Sequence, residues 1–218
     1  RLLSILVGLQ SEIIGEREIL TQAVQAINMS RDARSLNENT FQELQELISV
    51  GEQIRTYCGV NSDENYSTIA ANLFIERMVT RPDVTVAIVG GGYMAEKFFS
   101  ALLKAKSLKI KKIFWINRSI SRIKNNVREL TDLLDFDIEI HDLDTGGPIL
   151  KEADAVFCAL SNSPYYYGNT AHKDGALVVD VSYPQVFTTE RDVELVTISN
   201  TYFSHLVKNP VSKASIAL

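Results

Sequence analysis

Six short runs rich in β-branched and aromatic residues mark the chain from residue 84 onward: V-T-V-A-I-V (84–89), I-K-K-I-F-W-I (110–116), I-E-I-H (138–141), A-V-F-C-A-L (155–160), A-L-V-V-D-V (176–181) and E-L-V-T-I-S (194–199). Runs this short and this apolar suit strands covered on both faces. Helix-like stretches, Ala95 to Ala105 and Ser121 to Leu134, separate several of them. Strand alternating with helix predicts an α/β fold with a parallel, doubly wound sheet.

Upstream the apolar period is helical. Ile13, Ile14, Leu20, Ala23, Val24 and Ile27 predict a helix from Ser11 to about Met29, and Phe41, Leu44, Leu47, Ile48, Val50, Ile54 and Tyr57 a second from about Asn39, stopped at Gly59. A third, carrying Tyr66, Ile69, Ala70, Leu73, Phe74 and Met78, ends before Pro82. The polar, turn-rich stretch G-V-N-S-D-E-N (59–65) is the expected joint. The expected domains are a helical segment over 1–60, the α/β domain over 61–205 and the start of a linker or helix over 206–218.

At 218 residues, 45% hydrophobic and 22% charged, the chain has enough apolar material for one large core or two small ones. A net charge of −5 gives no general basic footprint for nucleic acid. No apolar run approaches the roughly 20 residues of a membrane helix, and R-L-L-S-I-L-V-G-L-Q-S-E lacks the pattern of a secretion signal, so a cytoplasmic protein is expected. Of two cysteines, Cys158 lies in an apolar run and reads as a packed core thiol. His141, His172 and His205 have no ligand-like spacing, so no metal is expected.

Directly after the first strand comes G-G-G-Y-M-A (90–95), a G-x-G-x-x-A pattern at Gly90, Gly92 and Ala95. In such a turn the first small residue permits the tight bend, the second lets the backbone approach a pyrophosphate, and the third lets the new helix pack close to the sheet. The phosphates meet free amides and the positive end of the helix. A cofactor with a free ribose hydroxyl wants an acid about 20 residues further on. This chain has W-I-N-R-S there, where the planar fork of Arg118 and the hydroxyl of Ser119 suit a 2′-phosphate, which argues for NADP over NAD. After the fourth strand, S-N-S-P (161–164) reads equally as small polar groups at the nicotinamide end or as a capped loop.

Ser11, Gly15, Glu18 and Gln22 are spaced to line up as one polar stripe on a helix, a pattern that could build a cleft wall but is more often simply the solvated face. G-L-Q-S-E-I-I-G-E-R-E-I-L-T-Q (8–22), which contains them, resembles the glutamyl-tRNA reductase signature, whose usual form is G-L-D-S, two or three apolar residues, then G-E-P-Q-I-L-G-Q. The resemblance continues in order through S-V-G-E-Q-I-R-T, V-A-I-V-G-G-G-Y-M-A, I-N-R-S, A-D-A-V-F-C-A-L-S-N-S-P and V-V-D-V-S-Y-P. It implies a fragment: a helical part of a catalytic domain followed by a Rossmann-like NADP-binding domain.

By this resemblance the activity is NADPH-dependent reduction of glutamyl-tRNA to glutamate-1-semialdehyde, the entry to tetrapyrrole synthesis. Carried over by motif, Ser11, Glu16, Arg17, Glu18 and Gln22 fall on substrate-pocket positions. Gly90, Gly91, Gly92, Tyr93, Met94, Ala95, Asn117, Arg118, Ser119 and Ser161 are the cofactor candidates. Implied partners are glutamyl-tRNA as substrate, an aminotransferase that receives the unstable aldehyde, and a second copy of the full-length protein.

The family's nucleophilic Cys belongs to a T-C-N-R motif that this sequence does not contain, so no catalytic residue is assigned; hydride reduction of an acyl ester is helped by prior transfer to a thiolate. Arg1 stands where the family has a His, and a guanidinium cannot exchange protons as imidazole does. Arg17-Glu18 replaces Pro-Gln. The family's carboxy-terminal dimerisation helices are absent too. Two other readings remain open: a divergent NADP-binding sensor or scaffold, and an NADP oxidoreductase like shikimate dehydrogenase, whose N-R-T after the second strand is similar.

Overall fold

The computed structural model describes residues 1–11, 13, 15–59, 65–128, 134–161, 172–188 and 192–198. The chain divides into two compact units, one over Arg1–Asn65 and one beginning at Tyr66.

The first unit holds three helices, α1 (Leu2–Leu6), α2 (Glu18–Asp32) and α3 (Glu38–Tyr57). The Asn37 side chain accepts the Thr40 N–H at 2.8 Å and so caps the start of α3. Phe41, Gly51 and Arg55 are the buried residues of α3. Its Phe41 ring lies 4.4 Å from the Arg31 guanidinium of α2, a cation over an aromatic face.

The helix expected from Ser11 begins instead at Glu18. Gly15 sits at φ +81°, outside the helical region, and its N–H donates to the Gly8 carbonyl at 3.2 Å. From α3, Arg55 Nη1 donates to the carbonyls of Val7 at 3.1 Å and Glu16 at 3.2 Å, and Nη2 to that of Gly15 at 2.6 Å. These tertiary hydrogen bonds outweigh the local helical period. Ser11 and Gly15 therefore lie in a loop ahead of α2, and the four-residue polar stripe is not formed on one helix.

The second unit contains α4 (Tyr66–Met78), β1 (Val84–Val89), α5 (Tyr93–Lys104), β2 (Ile110–Ile116), α6 (Ile120–Arg128), β3 (Asp137–His141), a 3-10 helix (Gly147–Glu152), β4 (Ala155–Cys158), β5 (Leu177–Asp180) and β6 (Glu194–Thr197). All six expected strands are present. They form one sheet in the order β3-β2-β1-β4-β5-β6, and every neighbouring pair is parallel. The far end of the helix expected to reach Leu134 falls among residues 129–133, outside the described residues.

Side chains of period two send alternate strand residues to opposite faces. On one face Phe157 of β4 stacks on Phe98 of α5, ring centroids 4.1 Å apart, and Phe98 meets Phe74 of α4 edge-on at 5.0 Å. On the other, Ala87, Val89, Phe114, Ile116, Val156 and Cys158 share a cluster with Leu143, Leu150, Val186 and Phe187. β1 stands at the reversal of strand order, where a doubly wound sheet opens a crevice beyond its carboxyl ends.

Candidate functional site

The turn from β1 to α5 lies at that crevice. Gly90 has φ +117°, and a Cβ there would stand 2.5 Å from the Ala159 carbonyl oxygen, so no other residue fits. Its carbonyl accepts from Trp115 Nε1 at 2.7 Å and its N–H donates to the Ile116 carbonyl at 2.9 Å. A Cβ on Gly91 would stand 2.4 Å from Asn117 Nδ2 and 2.9 Å from Ile123 Cδ1, so β2's carboxyl end packs directly over the turn.

Gly92 differs. It precedes α5 at φ −87°, a conformation any residue adopts, and nothing lies within 4 Å of a Cβ built on it. The protein's own packing gives no reason for glycine here. Next along, Tyr93 is half exposed with Lys97 Nζ 5.2 Å from its ring centroid. The Met94 carbonyl accepts from Ser67 Oγ at 2.8 Å, which holds the first turn of α5 to α4. Ala95 is fully buried, as close packing of α5 on the sheet requires.

Asn117 continues β2: its N–H donates to the His141 carbonyl at 3.0 Å and its Nδ2 to the Ser119 carbonyl at 3.2 Å. Arg118 and Ser119 are exposed at the same edge. An exposed ion pair, Arg122 to Glu96 at 3.2 Å, spans α6 and α5 nearby. Ser161 is exposed past β4 and forms an isolated parallel bridge with Tyr183; Asn162, Ser163 and Pro164 lie outside the described residues. The fold thus gathers the cofactor candidates at the carboxyl ends of β1, β2 and β4.

In the first unit, Ser11 Oγ donates to Glu16 Oε2 at 3.4 Å. Glu16 is buried at 7% exposure, and its carboxyl is raised from 4.5 to about 6, first by burial and then by the charge of Glu18, against the Ser11 hydrogen bond. Arg17 and Gln22 are exposed, and Glu18 opens α2. A cleft of about 240 Å³ between α2 and α3, from Val24 to Glu52, contains none of the expected substrate residues.

Two organising residues escaped the sequence reading. Arg55, 2% exposed, holds the loop that carries Ser11 and Glu16. Asp180, 1% exposed, accepts the N–H groups of Ser182 at 2.9 Å, Val186 at 2.7 Å and Phe187 at 2.9 Å. For Asp180 the available signal was a charge placed where its neighbours are apolar, in L-V-V-D-V, because a buried charge needs partners; Arg55 lies in the polar stretch G-E-Q-I-R-T, which carries no such signal. Cys158 is fully buried, and burial, with a further contribution from Asp180, pushes its thiol well above the ordinary range. Among the described residues no helix is long and apolar enough to cross a membrane.

The strand order and its glycine turn define a Rossmann-type α/β domain. Residues 75–202 match the family model for Shikimate / quinate 5-dehydrogenase, and residues 1–58 match that for the Glutamyl-tRNAGlu reductase, N-terminal domain. The chain belongs to the glutamyl-tRNA reductase family. It is 30% identical over 181 residues to a glutamyl-tRNA reductase of Sulfolobus acidocaldarius, covering 82% of this chain and 40% of that protein. It is 22% identical over 200 residues to one of Streptococcus sanguinis, covering 91% and 46%. A solved glutamyl-tRNA reductase of Methanopyrus kandleri aligns with TM-score 0.46 and 19% identity over 97% of this chain and 58% of that one. The chain spans less than half the length of the two curated relatives.

Proposed function

We propose that this chain is the NADPH-holding part, with a portion of the substrate wall, of a cytoplasmic enzyme that reduces glutamyl-tRNA to glutamate-1-semialdehyde for tetrapyrrole synthesis. The observation that carries this reading is the order of the two family matches in one chain, a reductase amino-terminal segment followed by a dehydrogenase-type domain. The proposed domain division is 1–60, 61–205 and 206–218.

The fit of a dinucleotide rests on Gly92, whose missing side chain opens onto free space at the start of a twelve-residue helix. A diphosphate set against that main chain would meet the amides and dipole of α5, with Gly90, Gly91, Tyr93, Met94 and Ala95 forming the turn. Arg118 and Ser119, beside Asn117, would pair with a 2′-phosphate, and Ser161 would line the nicotinamide end. When bound, NADPH supplies a hydride.

Ser11, Glu16, Arg17, Glu18 and Gln22 would bind the glutamyl group. With a carboxyl near 6, Glu16 exchanges a proton close to neutral pH, so it can donate or accept a hydrogen bond to substrate. Cys158 is too deeply buried to be a nucleophile. The proposed partners are an aminotransferase that takes the aldehyde and a second copy of the full-length protein.

The test is titration of the chain with NADPH and with NADH. Arg118→Ala is expected to weaken NADPH about tenfold or more and to leave NADH nearly unchanged. Equal losses for both would remove the 2′-phosphate role, and NADPH binding without glutamyl-tRNA binding would favour a sensor or scaffold.

A further inference from the structure

Two loops flank the crevice on the side of β4 and β5; a buried carboxylate shapes the second, and a serine from that loop reaches the first. Asp180 ends β5 and its Oδ1 accepts the Ser182 N–H at 2.9 Å, a turn closed two residues ahead. Its Oδ2 accepts the N–H groups of Val186 at 2.7 Å and Phe187 at 2.9 Å. Three main-chain donors so converge on one side chain and set the path of residues 181–187.

Ser182, held by that turn, reaches across to β4. Its Oγ accepts the Leu160 N–H at 3.0 Å and lies 3.2 Å from Cys158 Sγ. The main chains of the two loops add Val181 N–H to the Cys158 carbonyl at 2.8 Å and Tyr183 N–H to the Leu160 carbonyl at 3.1 Å. The segment after β4 also touches the glycine turn, because Ala159 donates to the Val89 carbonyl at 2.9 Å and its own carbonyl faces Gly90. Asp180, Ser182, Leu160, Ala159 and Gly90 thus form one connected chain of contacts.

We propose that Asp180 is a positioning residue for the nicotinamide half of the dinucleotide, acting through Ser182 on the segment from Cys158 to Ser161. The inference rests on the reading that a dinucleotide lies along the crevice. In a sheet of this order the diphosphate sits at the turn after β1, so the adenosine and nicotinamide halves extend to opposite sides of it. Arg118 lies after β2, on the adenosine side; Asp180 ends β5 and Ser182 follows it, on the other. A residue that served only the stability of the domain would affect both halves alike, whereas Asp180 acts on one.

Asn in place of Asp180 keeps the shape but presents an NH₂ group to N–H donors that need an acceptor, so the loop must shift. The experiment measures binding of NADPH and of adenosine 2′,5′-bisphosphate, which carries the phosphorylated adenosine half without nicotinamide, to the chain and to Asp180→Asn and Ser182→Ala. The expected result is NADPH affinity lowered about tenfold or more by Asp180→Asn, less by Ser182→Ala, with the bisphosphate affinity unchanged. Ser182→Thr, which keeps the hydroxyl, is expected to recover NADPH binding. If Asp180→Asn does not fold, the Ser182 pair decides. Equal losses for the two ligands, or no loss for either, would overturn the assignment. Failure of the unsubstituted chain to bind either ligand would strike the cofactor reading itself and the role of Asp180 with it; bisphosphate binding without NADPH binding would overturn the role of Asp180 alone.

Discussion

The indole Nε1 of Trp115 donates to the carbonyl of Gly90 at 2.7 Å, so the carboxyl end of β2 is tied to the bend that ends β1. Trp115 is fully buried and is the chain's one tryptophan. Its emission is therefore expected to change when a nicotinamide dinucleotide binds, read by titration at fixed protein concentration. Trp115→Phe leaves the Gly90 carbonyl buried without this donor and should lower unfolding stability by about 1–3 kcal/mol in urea. A variant of unaltered stability would mean that the bond contributes nothing.

Gly90 and Gly92 are separable by experiment. At Gly90 an added Cβ meets both a positive φ and the Ala159 carbonyl, so Gly90→Ala should destabilise the α/β unit by on the order of 2 kcal/mol or more. At Gly92 the same change meets open space. Gly92→Ala should leave the unfolding midpoint nearly unaltered, within about 0.5 kcal/mol, while weakening NADPH about tenfold. Full NADPH affinity in that variant would show that no ligand approaches the turn there.

Glu16 gives a pH dependence. Its carboxyl titrates near 6 in the folded chain against an ordinary 4.5, so the folded state holds the proton more tightly than the unfolded state. Between those values the folded state binds more protons, and stability falls as pH rises through them, by about 2 kcal/mol in all. Glu16→Gln has no such proton to lose. Urea unfolding of both proteins at several pH values across that window should diverge, with the variant gaining relative stability toward neutral pH; parallel curves would refute the assignment.

Arg55 is the fourth case. Its guanidinium supplies hydrogen bonds to three carbonyls of the loop before α2, and its own pKa is lowered, first by burial. Arg55→Leu should cost about 3 kcal/mol or more, because both the charge-assisted bonds and the buried carbonyls' partners go together. Hydrogen exchange should speed at residues 7–16 before it does in α3. Unchanged protection of that loop would show that it holds its shape without the arginine.

The strands and the turn were legible because each is set by near neighbours. V-T-V-A-I-V followed by G-G-G is a strand that must bend, and the only backbone solution at Gly90 is one glycine alone supplies. The start of α2 was not legible. Ile13, Leu20 and Ala23 keep helical spacing, but the loop that displaces the helix is made by a side chain some forty residues away in sequence, and no local pattern records it.

By itself the sequence determined the kind of fold, since alternation of apolar strands with amphipathic helices leaves a parallel sheet as the way to bury both faces. It also determined which residues stand at the carboxyl ends of β1 and β2, because position along a strand follows from counting. Tertiary structure alone decided how Glu16 is buried beside Ser11, and how Asp180 gathers three amides under the crevice. Both depend on groups brought together from distant or irregular backbone. There the energy of satisfying a buried polar atom, rather than any periodic preference, selects the conformation.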